Sequence, residues 1–84
     1  MKSHPGLINM KPYRFSAVIE HDKDGYFAFC PELQGCYSQG DTYEEALENI
    51  KDAIRLHLED RIANNEDIPE AVDSISLSTV EVAV

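Results

Sequence analysis

Residues 41–63 read DTYEEALENIKDAIRLHLEDRIA, and this stretch predicts one long amphipathic helix. Thr42 and Glu45 form the S/T-x-x-E pattern of a helix start, in which the two side chains satisfy backbone N–H groups that the first turn leaves open. Pro69 and the polar run 64–67 end the helix near Ala63. Apolar residues recur every three or four positions and give one stripe along this helix: Tyr43, Ala46, Leu47, Ile50, Ala53, Ile54, His57, Leu58 and Ile62.

The residues before the helix predict three short antiparallel strands. Residues 13–21 alternate between apolar and polar side chains, as a strand with one buried face does. A polar stretch ending in glycine follows at 22–25, which is typical of a hairpin loop of three to four residues. Residues 26–30 are rich in aromatics and form the second strand, and Pro31 stops it because proline cannot donate to a sheet ladder. Residues 36–39 form the third strand.

A fourth strand is expected after the helix, over 74–84. Its apolar residues change parity near Thr79 and Val80, where a β-bulge would reconcile the two phases. The predicted fold class is therefore α+β with the order β-β-β-α-β, an antiparallel sheet and one main helix packed on it. Residues 1–10 show no sustained period and predict an irregular N-terminal arm, and residues 11–84 predict a single domain.

The charge of the chain favours some partners over others. Sixteen acids against seven bases leave a net charge of −9 over 84 residues. Direct nucleic-acid binding is not expected, because the bases are scattered and do not form the cluster that phosphates require. A basic protein would be attracted, although an acidic balance also serves solubility alone. The chain has no apolar run near the roughly 20 residues of a membrane span and no signal peptide, so a cytoplasmic protein is expected.

Catalytic motifs are absent from the sequence. The cysteines Cys30 and Cys36 are expected to be free thiols in a reducing compartment, and no zinc-ligand spacing joins them to His21 or His57. No nucleophile and base pair, phosphate-binding glycine loop or dinucleotide motif occurs, and His4 lies in the arm. We therefore predict no enzymatic activity, no cofactor and no metal. The second strand carries the aromatics Tyr26, Phe27 and Phe29, and alternation buries only one side of it, so its other side needs a second cover.

Three segments in order resemble the HicB family of antitoxins. They are G-Y-F at 25–27, C-P-E-L-Q-G-C at 30–36 and S-Q-G-D-T-Y-E-E-A-L-E-N-I at 38–50. The spacing matches a fairly specific signature, and the resemblance extends from near Lys11 to residue 84. Most of the residues that carry it have structural roles: Gly25, Pro31, Gly35, Gly40, Thr42 and Glu45.

The resemblance implies a fold and a partner, and the chain departs from many family members in one respect. Such proteins have a truncated ribonuclease-H-like fold without the nuclease's catalytic acids. They neutralise HicA, a small basic toxin that cleaves messenger RNA and is similar to a double-stranded-RNA-binding domain, so an acidic cover would occlude its RNA-facing surface. Many members add a DNA-binding domain. Only about a dozen residues follow Ala71 here, too few for such a module, so promoter binding is not expected of this polypeptide.

The functional hypothesis is an antitoxin of a type II toxin-antitoxin system that binds and occludes a HicA-type toxin. We expect a homodimer or a higher oligomer, because small sheets with open edges commonly pair. Two alternatives remain open: an orphan oligomeric binding module of the same fold, and a metal-dependent nuclease that uses the aspartates. The predicted toxin contacts are Asp22, Asp24, Glu32, Asp41 and Glu44.

Overall fold

A computed structural model describes residues 12–70 and 73–84. Its elements are β1 (Val18–Asp22), β2 (Gly25–Phe29), β3 (Tyr37–Gly40) and the helix α1 (Tyr43–Ala63). The strands form one antiparallel sheet in the order β1-β2-β3, and α1 packs on one of its faces. The α+β class and the βββα part of the predicted order are confirmed. The irregular arm predicted for 1–10 lies outside the described residues.

The hairpin between β1 and β2 is tighter than the sequence predicted. Val18 pairs with Phe29 at one end of the ladder and Asp22 with Gly25 at the other. The loop is therefore two residues long, Lys23 and Asp24, and not three to four. Gly25 has φ 137°, in the range that L side chains rarely adopt, so glycine is required at this position.

The first strand begins at Val18, five residues later than the predicted Tyr13. The register explains the difference, because continuing it would place Ser16 opposite Pro31, which has no N–H to donate. Cys30, which would lie opposite Ala17, donates its N–H to the other side, to the Cys36 carbonyl at 3.1 Å, in line with the β2–β3 register. The segment before Val18 thus runs beside the sheet as a lead-in with no strand partner.

The helix agrees with the sequence prediction at both ends. The Thr42 side chain accepts the Glu45 N–H at 3.1 Å, while a Glu45 carboxylate oxygen accepts the N–H of Asp41. Thr42 is therefore the N-cap, although the Glu45 carboxylate bonds to the backbone N–H of the residue before the cap and not to that of Thr42. At the other end Asn64 caps the helix and Asn65 has φ 58°, a left-handed conformation that turns the chain away.

The core lies between α1 and the helix-facing side of the sheet. It is a small cluster of buried residues: Ala28, Cys30, Leu33, Cys36, Ala46, Ile50 and Leu58. Three residues of the predicted helix stripe, Tyr43, Leu47 and Ile62, stay exposed. The domain therefore covers only the central part of its apolar helix stripe.

The fourth strand predicted over 74–84 is not formed. Residues 73–84 have no strand pairing in the structure, and every one of them is exposed. A strand needs a neighbouring edge for its N–H and C=O groups, and this segment lies against none within the described chain. The apolar pattern is present, but the prediction of a strand within the same domain is wrong.

Candidate interaction site

Four of the five predicted contact acids lie at one end of the sheet. Tyr26 lies opposite His21 on one side and Gly40 on the other, so the β1–β2 turn is next to the exit of β3. A Cβ added to Gly25 would lie 3.2 Å from the Gly40 carbonyl oxygen. We call this region the hairpin end. Its exposed acids are Asp22, Asp24, Asp41 and Glu44.

One of these acids also holds the turn. The Asp24 N–H donates to Oδ1 of Asp22 at 2.7 Å, an arrangement in which an aspartate side chain mimics a backbone turn. The Asp22 carboxylate therefore has a structural role besides its charge. Asp24 lies at the tip of the turn beside Lys23, where its carboxylate faces solvent. Of the two, Asp24 is the more accessible to a partner.

The start of α1 is fixed against the sheet by a glycine. A Cβ on Gly40 would lie 2.5 Å from the Ala46 backbone nitrogen and 2.9 Å from the Glu45 carbonyl carbon. No side chain fits there, so the first turn of α1 packs directly on the end of β3. This close approach positions Asp41 and Glu44 beside the hairpin, and the positive N-terminal end of the helix stabilises their charges.

Glu32, the fifth predicted contact, lies at the opposite end of the sheet and has bonded partners. Its carboxylate accepts the Ser16 N–H at 3.1 Å and the Ser16 hydroxyl at 3.0 Å. It also accepts the Cys30 thiol at 3.5 Å. These bonds tie the lead-in before β1 to the loop after β2. In this structure Glu32 is a half-buried tether, which the charge pattern of the sequence gave no means of detecting.

The two cysteines at this second end, which we call the cysteine end, are buried free thiols. Burial and the neighbouring Glu32 raise the pKa of Cys30 from 9.0 to about 11. Burial also raises the pKa of Cys36. A raised pKa keeps a thiol protonated, and a protonated thiol is neither a nucleophile nor a metal ligand. The geometry gives both residues a packing role.

The sheet face away from α1 carries an aromatic surface. Phe27 and Phe29 alternate with the buried Ala28 and so face away from the helix. Tyr37 pairs with Phe29 across the β2–β3 ladder and is 70% exposed. A shallow depression of about 360 Å³ lies on this face, which is the uncovered side expected from the aromatic strand. A surface of this kind is suited to contact with another protein.

A larger groove lies between α1 and the lead-in before β1. Its volume is about 760 Å³. The Tyr13 and Phe15 rings, with centroids 6.5 Å apart, form one wall. Helix residues that include Leu47 and Ile62 form the other wall. We call it the side groove. Sequence periodicity identified the helix stripe but gave no sign that part of it would line an open groove.

The histidines of the described chain have structural partners. Nε2 of His57 accepts the Arg61 Nε–H at 3.0 Å, and the His21 ring stacks on Tyr26 with centroids 4.0 Å apart. His4 lies outside the described residues. Over 12–70 and 73–84 no three His, Cys, Asp or Glu side chains are grouped to hold a metal ion.

The family follows from a match along most of the domain. The family model for the "HicB_like antitoxin of bacterial toxin-antitoxin system" matches residues 15–81. The chain belongs to the HicB-like antitoxin family. The match includes both ends of the sheet and most of residues 73–84, so the resemblance read from the G-Y-F, P-x-L-x-G-C and G-D-T segments is confirmed.

Curated relatives of this HicB-like chain include UPF0150 proteins and an antitoxin. A UPF0150 protein of Synechocystis sp. is 49% identical over 59 residues, 69% of this chain and 75% of the relative. A UPF0150 protein of Helicobacter pylori is 67% identical over 45 residues, 54% and 62% of the two chains. Antitoxin HicB 1 of Photorhabdus laumondii is 38% identical over 68 residues, 80% of this chain but 43% of that longer protein.

No solved structure matches this HicB-like chain significantly. Among the described residues, no helix combines the length and the hydropathy that crossing a bilayer requires.

Proposed function

We propose that this chain is the antitoxin of a type II toxin-antitoxin system and acts in the cytoplasm by binding a small basic HicA-type toxin. The family match over residues 15–81 is the observation that carries the proposal. In this proposal the chain is not an enzyme: it covers the RNA-facing surface of the toxin and prevents cleavage of messenger RNA. We also propose that its βββα unit is a truncated ribonuclease-H-like scaffold.

The hairpin end is the proposed first point of contact. Its four exposed acids lie together on two adjoining turns, in a chain whose net charge is −9. Opposite charge steers two proteins into an encounter and raises the association rate more than it raises the affinity. A basic surface that evolved to bind RNA phosphates offers the complementary charge. Glu32 supports this contact indirectly, by holding the loop at the other end of the sheet.

Self-association is the second part of the proposal. The domain has a small core, an aromatic sheet face and an open side groove, and β1 has a neighbour on one side only. Small domains with uncovered apolar surface gain stability by forming symmetric oligomers. We propose a homodimer or a higher homo-oligomer that leaves the hairpin end accessible to the toxin.

Co-expression with a small basic HicA-type protein from an adjacent gene tests the proposal. The expected result is growth arrest by that protein alone, rescue of growth by this chain, and a complex of the two that survives purification. A toxic neighbour that this chain neither binds nor restrains would contradict the antitoxin role. Incubation of this chain alone with RNA and magnesium separates the nuclease alternative, for which RNA would be cleaved without any partner.

A further inference from the structure

The closing segment, residues 73–84, has the composition of a buried strand, yet every one of its residues is exposed. Leu77 is 92% exposed and Val82 is 72% exposed, in a stretch with a single acid after Asp73. Apolar side chains at this density normally lose their contact with water on folding, at roughly 25 cal/mol for each Å² covered. Docking on an apolar surface would therefore stabilise the segment.

The side groove offers such a surface. Its lining is mostly apolar and includes Phe15, Leu47, Ile54 and Ile62. The charged side chains of α1 that also line it carry both signs: Glu48, Lys51, Asp52, Arg55 and Glu59. Ile62 is 56% exposed although it belongs to the apolar stripe of the helix. The groove is thus a place where the domain lacks a cover.

The segment is long enough for the groove. The lining residues of α1 run from Leu47 to Ile62, about 24 Å along the helix, and the 12 residues of the closing segment span about 40 Å when extended. One closing segment can therefore run the whole length of the groove. Among the described strands, β1 is paired with β2 on one side only, and its other edge offers N–H and C=O groups to an added strand.

A second copy of the chain is the occupant that the structure favours. The closing segment does not lie on its own domain, since all of its residues are exposed. Each copy carries one segment and one groove, so a two-fold axis satisfies both at once. The closing segment and the groove lining together supply roughly two dozen residues per copy, the size of a stable interface.

We propose that the closing segment of one copy lies in the side groove of a second copy, and that the exchange is reciprocal. This inference deepens the self-association proposed above and does not depend on the toxin. It gives the fourth β-like segment of the sequence a partner outside its own domain. The dimer is then held by the closing segments, while the hairpin end stays outside the exchanged surface.

Matched helix substitutions test the groove by molar mass in light scattering. Ile62→Lys places a charge in the groove, and Leu56→Lys places the same charge on an exposed leucine of α1 outside it. We expect a dimer for the unaltered chain and for Leu56→Lys, and a monomer for Ile62→Lys and for Leu77→Lys. Both helix positions are more than half exposed, so the folded domain tolerates lysine there. A dimeric Ile62→Lys chain would overturn the proposal.

A mixing experiment separates exchange from docking within one chain. A chain shortened after Asp73 keeps the groove and lacks the segment, while the full chain with Ile62→Lys keeps the segment and lacks a usable groove. Each is expected to be monomeric alone, and their mixture is expected to form a heterodimer with one segment–groove pair. Far-UV circular dichroism of the shortened chain checks that its domain is folded.

Two results would overturn the exchange. A shortened chain that remains a dimer would show that another surface associates, and self-association would stand without the closing segment. A monomeric full chain whose unfolding midpoint falls on shortening would place the segment in the groove of its own domain. Neither result bears on toxin binding, which co-expression measures separately.

Discussion

The two ends of the sheet use acidic side chains in opposite ways. At the hairpin end Asp24 and Asp41 face solvent, and the backbone is fixed by close packing at Gly40. At the cysteine end Glu32 points inward and accepts hydrogen bonds from Ser16 and Cys30. Carboxylates therefore present charge to solvent at one end and hold two segments of the chain together at the other. Contact with a partner and stability of the fold should respond to different substitutions.

The largest expected effect is loss of stability from Gly40→Ala. The new Cβ would lie 2.5 Å from the Ala46 nitrogen, so α1 must move away from β3. We expect the free energy of unfolding to fall by about 3 kcal/mol, the upper part of the range for overpacking. Gly35→Ala is the matched control: its φ of 81° adds strain, but no atom lies within 4 Å, and the loss should be about 1 kcal/mol. Equal losses in urea denaturation would refute the close approach.

The next effect is loss of the tether at the cysteine end. Glu32→Ala removes the acceptor for both Ser16 bonds, and we expect unfolding to become easier by about 2 kcal/mol. Asp24→Ala removes an exposed carboxylate and should change stability by less than about 0.5 kcal/mol. Urea denaturation of the two variants compares the ends directly. A Glu32 variant as stable as the Asp24 variant would remove the distinction between them.

Charge reversal at the hairpin end should change the rate of toxin binding and leave stability nearly intact. Asp24→Lys with Asp41→Lys is expected to slow association with the basic partner about tenfold at low salt, and added salt should reduce the difference. Glu66→Lys with Glu70→Lys makes the same change in net charge on exposed residues beyond α1. Equal slowing by both pairs in stopped-flow measurements would mean that net charge alone matters and that the hairpin end is not the contact.

The last expected effect is a pH dependence from the cysteine end. In the unfolded chain the Cys30 thiol ionises near its ordinary pKa of 9.0, whereas in the folded chain its pKa is about 11. Above pH 9 the unfolded state therefore releases a proton that the folded state retains, and stability falls as the pH rises from about 9 to about 11. Cys30→Ala should weaken this fall. An identical pH profile of unfolding in both proteins would show that the thiol does not contribute.

Much of the fold could be predicted because its signals are local. The cap at Thr42, the glycine at the end of the hairpin and the stop at Pro31 each act within a few residues. The start of β1 at Val18 could not be predicted in this way, because it depends on Pro31 lying opposite Ser16 once the register is set. Alternation of side chains indicates a face to be covered and does not specify where the ladder ends.

The closing segment illustrates the same limit for tertiary structure. Its pattern predicted a strand, and Leu77 and Val82 have the side chains of one, but the structure gives it no partner in its own domain. A sequence pattern indicates which surfaces need a cover and cannot identify the chain that supplies it. For the candidate site, negative charge gave no reason to distinguish among the five predicted contact acids. The strand register shows that Glu32 lies at one end of the sheet and the other four at the hairpin end.

Titration of the toxin's RNA cleavage with this chain tests the central claim most directly. A small basic HicA-type protein from an adjacent gene is incubated with a messenger RNA transcript while the chain is added in increasing amounts. Occlusion predicts that cleavage falls in proportion to the chain added and ceases near stoichiometric equivalence. Cleavage that continues undiminished in an excess of folded chain would contradict the proposal that this domain works by covering a ribonuclease partner.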